Sequence, residues 1–171
     1  MEEASPTKHE YVAGQVYALA GASDRHNRIA GNIFAHLWQA ARGGPCRVYG
    51  SDIRLRVGDT AMYYPDVQVV CDPLDAEPMY KSRPCVIVEV LSPSTESIDL
   101  REKLAAYQGI ESLDAYLIVW RDTMRVLEHY RAEERRWFAA LHGRDETISV
   151  PCVGATLTTA EIYEAVDLPG R

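Results

Sequence analysis

Cys85-Val86-Ile87-Val88-Glu89-Val90-Leu91, followed by Ser92-Pro93-Ser94-Thr95, is an apolar run with one carboxylate inside it. β-Branched residues dominate, the length suits a strand better than a helix, and Pro84 before it and Ser92-Pro93 after it mark its ends. The run reads as a central strand. Period-two alternation puts Cys85, Ile87, Glu89 and Leu91 on one face and Val86, Val88 and Val90 on the other. Glu89 therefore shares its face with apolar neighbours, where an ionised carboxylate is costly to desolvate unless a cation or strong donors meet it. Taken alone, Glu89 could equally sit at the strand end, hydrogen-bonded to the following turn. What partners it decides the function.

Working back from this strand, residues 72 to 84 carry Pro73, Pro78 and Pro84 without periodicity and form a loop. Before it, residues 46 to 71 read as a hairpin. Its first arm alternates Val48, Ile53, Leu55 and Val57 with Arg47, Arg54 and Arg56, Gly58-Asp59-Thr60 turns the chain, and the second arm is Met62 to Cys71. Pro65 removes a donor from the second arm and marks an edge or bulge directly before Asp66. Ser23 is a candidate N-cap for a helix from about Asp24 to Ala41, with Ile29, Ile33 and Leu37 as its apolar stripe and Gly43-Gly44-Pro45 as its stop. Tyr11 to Ala20 suits two short strands turning at Ala13-Gly14.

Working forward, the Ser-Pro-Ser-Thr turn leads to a second helix from about Ile98 to Gln108, closed by Gly109. Ala115 to Trp120, Met124 to Tyr130 and Trp137 to Leu141 extend the sheet as antiparallel strands, and Ile148 to Val150 adds a short one. Thr158, with Glu161 three residues on, has capping-box spacing for a closing helix to Val166. The fold class is mixed α/β, a β-sheet flanked by helices in one domain spanning 1–171, with residues 1 to 10 as a disordered lead-in.

Composition restricts the functions available. A formal charge of −7 argues against a general electrostatic nucleic-acid binder, so any nucleic-acid contact must be local or metal-assisted. Cys46, Cys71, Cys85 and Cys152 lie far apart without a C-x-x-C pair, which favours buried free thiols in a reducing compartment over disulfides or a zinc set. Neither a signal core nor a run of about 18 apolar residues is present, so the expectation is a cytoplasmic protein without a membrane span.

Three residues then stand in order: Asp66 after Pro65, Glu89 in the apolar strand, and Lys103 on the helix that follows. Two carboxylates on adjacent strands can share a hard divalent cation, because Mg²⁺ keeps several waters and takes only one or two protein carboxylates. That cation would be the partner Glu89 lacks. It would lower the pKa of a bound water and offset charge developing on a phosphate, while Lys103 would add a compact positive charge nearby. Each residue also has a plain reading: Asp99 at i−4 can pair with Lys103, and Asp66 can turn the chain at the proline.

Pro65-Asp66-Val67, Val88-Glu89-Val90-Leu91-Ser92-Pro93-Ser94-Thr95 and the Asp99, Lys103, Tyr107 series resemble the bacterial Uma-type family, described as putative restriction endonucleases, within the PD-(D/E)xK nuclease superfamily. Glu10 with Gly14, His26 and Asn32 on the first helix, and Tyr116 to Val119 also match the family's placement. The resemblance implies a restriction-endonuclease-like mixed sheet with Asp66 and Glu89 as ligands to Mg²⁺, or to Mn²⁺ in its place. Two residues after Glu89 stands Leu91 instead of the superfamily's lysine, and Lys103 on the following helix takes that role. The resemblance also raises His26 as an auxiliary donor or proton carrier, and Glu10 as a further acidic group.

The expected activity is hydrolysis of DNA phosphodiester bonds by a metal-dependent endonuclease, in a homodimer whose two sites suit duplex cleavage. The competing reading is a catalytically silent nuclease-fold module acting as a regulator. A hydrolase of another phosphate ester would use the same metal logic, whereas Gly-rich phosphate loops are absent. Arg47, Arg54 and Arg56, with Arg25, Arg28 and Arg42, are candidates for a local phosphate-binding face.

Overall fold

The computed structural model describes residues 8–12, 14–18, 22–91 and 99–169 of the chain. Its centre is β8 (Pro84–Leu91), buried at every position. β8 pairs antiparallel with β6 (Val67–Val70) and parallel with β9 (Ala115–Trp120), both equally short of exposed positions apart from half-buried Trp120. This is the environment that a continuous apolar run dictates, a strand covered on both faces. With β3 (Arg47–Gly50), β10 (Val126–Arg131) and β11 (Trp137–His142) these strands form a six-stranded sheet in the order β11-β10-β9-β8-β6-β3.

A second sheet, ordered β2-β1-β5-β4-β7, is built from β1 (His9–Val12), β2 (Gln15–Ala18), β4 (Arg54–Val57), β5 (Ala61–Tyr63) and β7 (Tyr80–Lys81). The hairpin expected over 46–71 is present but shared between the two sheets. Its outer arms pair in the large sheet, Arg47 opposite Val70, and its inner arms pair in the small one, Val57 opposite Ala61. The chain bends between sheets at residues 51–53 and 64–66, and Pro65, without an N–H, occupies the second bend. Buried Gln68 secures the first, its Nε2 donating to the Ile53 carbonyl at 2.8 Å. Of the first ten residues, His9 and Glu10 belong to β1, which pairs with β2 and β5, while residues 1–7 lie outside the described set.

Helix α1 (Asp24–Ala41) has the bounds its periodicity predicts, with Ser23 Oγ accepting from the His26 N–H and Ile29, Ile33, Leu37 and Ala41 buried. The next described element is a π-helical turn, Asp99–Lys103, continuing as α2 (Leu104–Gln108). The Ser92 to Thr95 turn and the start of the expected 98–108 helix lie outside the described residues. β12 (Thr147–Val150) and β13 (Ala155–Thr158) make a small hairpin. The closing helix α3 (Thr159–Ile162) carries the predicted capping box but is shorter than expected. Asn32 Nδ2 of α1 donates to the Ile162 and Glu164 carbonyls, satisfying acceptors that a longer helix would have used internally.

β8 divides two cores. Val86, Val88 and Val90 pack with α1, Val67, Leu117, β12 and β13, whereas Ile87 and Leu91 pack with Leu55, Tyr63, Tyr107 and Tyr116. Cys85 was expected on the Glu89 face, yet it packs with Val86 and Val88. A register shift at Val69/Val70, opposite the start of β8, breaks the alternation there.

The cysteines correct a second expectation. They form the pairs Cys46–Cys71 and Cys85–Cys152 and leave no free thiol. Sequence separations of 25 and 67 residues conceal this convergence, which only the strand pairing creates. No helix among the described residues is long and apolar enough to cross a membrane.

Candidate active site

Glu89 projects from β8 into the tyrosine-lined core and is only 4% exposed. Its Oε1 accepts from Lys103 Nζ at 3.0 Å and from the Tyr107 hydroxyl at 2.8 Å. Burial, followed by the Glu89 charge, pushes the Tyr107 hydroxyl well above its ordinary pKa, so Tyr107 is the donor in that bond. Lys103 and Tyr107 are four residues apart, which puts both side chains on one helix face toward the strand.

Lys103 is 5% exposed and has a second carboxylate at hand, with Glu10 Oε1 3.1 Å from Nζ. Glu10 is itself buried and accepts from the Tyr64 backbone N–H at 3.1 Å. The ammonium also lies 5.8 Å from the Tyr63 ring centroid, a cation–π distance. Burial first, then the Glu102 charge, pushes Tyr63 up to about 12. Tyr63, Tyr107 and Tyr116 meet edge to face, with ring centroids 5.3 and 5.1 Å apart, and these rings keep the ion cluster out of water.

Asp66 approaches from the start of β6. Its Oδ2 accepts from the N–H of Val90, the residue after Glu89, at 2.7 Å, and lies 3.1 Å from His26 Nε2 on α1. Val67 pairs with Val88, so the sheet register itself brings Asp66 alongside Glu89. His26 reaches this point because the Ser23 cap starts α1 directly over the sheet edge. Its Nδ1 is buried without a hydrogen-bond partner among the described residues.

The four residues singled out from the sequence form two contacting pairs, Asp66 with His26 and Glu89 with Lys103, at the paired ends of β6 and β8. Glu10 joins them with full burial, and Tyr107 contributes the donor that periodicity alone assigned to packing. The Asp99 pairing for Lys103 falls on a side chain outside the described set. Four of the six candidate arginines have hydrogen-bond or ion-pair partners among the described residues. Arg25 pairs with Asp122, Arg56 with Asp59, Arg47 with the Gly44 and Cys46 carbonyls, and Arg54 with the Met79 carbonyl.

Among the described residues Lys103 is shared by Glu10 and Glu89, while Asp66 is held by His26 and the Val90 N–H. Carboxylate oxygens of this kind suit a hard divalent cation such as Mg²⁺ or Mn²⁺ and not a soft one.

The fold is a mixed sheet flanked by helices, with Glu89 buried in its central strand, half-buried Asp66 at the start of the neighbouring strand and a helix lysine held by Glu89 and Glu10. The chain matches the Uma2 family model, "Putative restriction endonuclease", over residues 1–160, and it belongs to that family. Fold and family together place it among the putative nucleases. The crystal structure of a putative nuclease belonging to DUF820 from Anabaena variabilis superimposes with a TM-score of 0.75 at 15% identity, over 93% of this chain and 91% of that one. Two uncharacterised proteins of Synechocystis sp. are relatives, one 30% identical over 96% of this chain and 88% of its own length. The other is 31% identical over 80% of this chain and 79% of its own.

Proposed function

We propose that this protein is a Mg²⁺-dependent endonuclease that hydrolyses phosphodiester bonds in DNA, with Mn²⁺ able to replace Mg²⁺. The observation that carries the reading is the buried Lys103 ammonium, held 3.0 Å from the Glu89 carboxylate of the central strand and 3.1 Å from Glu10. Asp66 and Glu89 would hold the cation. When bound, it would supply an activated water and positive charge against the phosphate.

The protein's own groups do the rest. The Val90 N–H and His26 fix the Asp66 carboxylate from two sides, and Tyr107 fixes Glu89, so neither acid reorganises when a ligand arrives. Lys103 reaches the site from a helix whose tyrosine neighbours exclude water, and a dry ammonium acts on a phosphate oxygen with little screening. His26 would act as an auxiliary donor to Asp66 through Nε2.

The proposal includes a homodimer. β11 is an edge strand of the large sheet, with Phe138 exposed on one face and Leu141 on the other, and a second copy pairing along this edge would cover apolar surface. Light scattering on the purified chain tests this with a mass of two chains expected.

Supercoiled plasmid incubated with the protein and Mg²⁺ or Mn²⁺ is expected to be nicked and linearised. Asp66→Ala and Glu89→Ala should abolish this while circular dichroism stays native, and Lys103→Ala should slow it by about 100-fold or more. Cleavage undiminished in both carboxylate variants would overturn the assigned roles. The net charge of −7 and the engaged arginines favour a second reading, a catalytically silent regulatory module of the same fold. Metal binding by the wild type without any DNA cleavage would select it.

A further inference from the structure

The four cysteines come from four separate elements and meet at the end of the sheet opposite the acidic cluster. Cys46 precedes β3, Cys71 follows β6, Cys85 is near the start of β8, and Cys152 lies in a 3₁₀ turn, Pro151–Val153, between β12 and β13. Because β6 and β8 run antiparallel, the ladder that carries Asp66 and Glu89 at one end carries Cys71 and Cys85 at the other. The two disulfide pairs touch, with Cys71 Sγ and Cys85 Sγ 3.5 Å apart. The sulfurs of Cys71, Cys85 and Cys152 all lie within 4.8 Å of one another. Cys46, bonded to Cys71, has its own sulfur 3.3 Å from the Cys152 carbonyl oxygen. Cys46 and Cys85 are buried, Cys71 and Cys152 half-buried.

We propose that the reduced protein binds one Zn²⁺ through Cys46, Cys71, Cys85 and Cys152, in a closed tetrahedral tetrathiolate site that is independent of the acidic cluster. Zinc–sulfur bonds of about 2.3 Å place tetrahedral sulfurs roughly 3.8 Å apart. The contact between the two pairs is already near that spacing, so small side-chain rotations complete the tetrahedron once the bridges open. Thiolate ligands select a soft or borderline cation over Mg²⁺, and four protein ligands with no open position make the site structural. The complex would carry a charge of −2, and the Arg47 guanidinium, donating to the Cys46 carbonyl at 2.9 Å, lies beside it.

The reduction balances with a dithiol as the named co-reactant. Each bridge takes two electrons and two protons from one dithiol, which becomes its own disulfide, and gives two thiols. Zn²⁺ then displaces the four thiol protons as the four zinc–sulfur bonds form. The same sulfurs thus fasten the β12–β13 hairpin to the sheet in either state, by bridges when oxidised and by metal when reduced.

Co²⁺ serves as the probe, because tetrahedral thiolate coordination gives intense near-ultraviolet charge-transfer and visible bands, whereas oxygen ligation at the acidic cluster gives only weak ones. The full-length chain is reduced with dithiothreitol, desalted without oxygen and titrated. The expected result is one Co²⁺ per chain with those bands, their bleaching by one equivalent of Zn²⁺, and a rise in melting temperature on Zn²⁺ addition. The oxidised chain should show none of this. Cys152→Ser should lose the four-sulfur spectrum. Reduced wild-type protein with four titratable thiols and no charge-transfer band overturns the proposal without reference to any variant. So does a band unchanged in Cys152→Ser. Either result leaves the nuclease reading untouched.

Discussion

The two faces of β8 solve the same burial problem in opposite ways. Toward α1, Val86, Val88 and Val90 pack into a cluster of apolar side chains, and shape does the work. Toward α2, Ile87 and Leu91 flank Glu89, and that face must supply Lys103, Tyr107, Glu10 and a wall of tyrosines around one charge. The first face gains stability from each methylene it buries. The second holds ions whose desolvation largely cancels their attraction, so stability alone does not explain it. A buried ion cluster that stability does not explain is what the proposed catalytic role would account for.

Substitutions on the two faces should therefore behave differently. Lys103→Met leaves Glu10 and Glu89 without their ammonium and should destabilise by about 3–5 kcal/mol. Adding Glu89→Gln to it should recover part of that loss, a coupling that a double-mutant cycle in urea measures directly. Full additivity would mean that the ion pair is not the source of the cost. Ile33→Ala on the α1 face should cost about 3 kcal/mol through a cavity, and no second-site change of charge should restore it. Tyr107→Phe removes one donor from Glu89 at constant shape, with an expected cost of about 2 kcal/mol and a larger effect on any metal affinity. Thr158→Ala, which opens the capping box of α3, should cost about 1 kcal/mol.

The smallest effect is one of pH. His129 stacks on Tyr116 behind the ion cluster, and burial lowers its pKa below the ordinary histidine value. The unfolded chain then binds the proton more readily than the folded one. Stability should accordingly fall as pH drops through the ordinary histidine range, about 6.5, and level off below the folded value. His129→Phe should flatten that part of a melting-temperature profile.

Much of this contrast was legible in the sequence, for identifiable reasons. The 3.6-residue stripe of Ile29, Ile33 and Leu37 and the Ser23 cap fixed α1 at both ends. A carboxylate inside a β-branched run announced that Glu89 needed a partner, and the family resemblance pointed to Lys103. Features that depend on long-range pairing were hidden. The family resemblance raised Glu10, but its four-residue strand has no strong pattern of its own, and its contact with Lys103 depends on the pairing of Tyr11 with Met62. The hairpin over 46–71 read as one ladder because nothing in Ser51-Asp52-Ile53 announces a change of sheet. β13 went unread, since Ala155 to Thr158 is too short and too polar to signal a strand. Cys85 was assigned to the wrong face because alternation cannot anticipate the shift at Val69/Val70.

The central claim is that Asp66 and Glu89 form a site for a hard divalent cation. Isothermal titration of Mn²⁺ into the wild type and into Glu89→Gln, which removes the charge at nearly constant volume, tests it most directly. Both proteins should be kept oxidised so that the cysteines cannot contribute. The account predicts binding at one site in the wild type and its loss in Glu89→Gln. Equal binding by both proteins would contradict it.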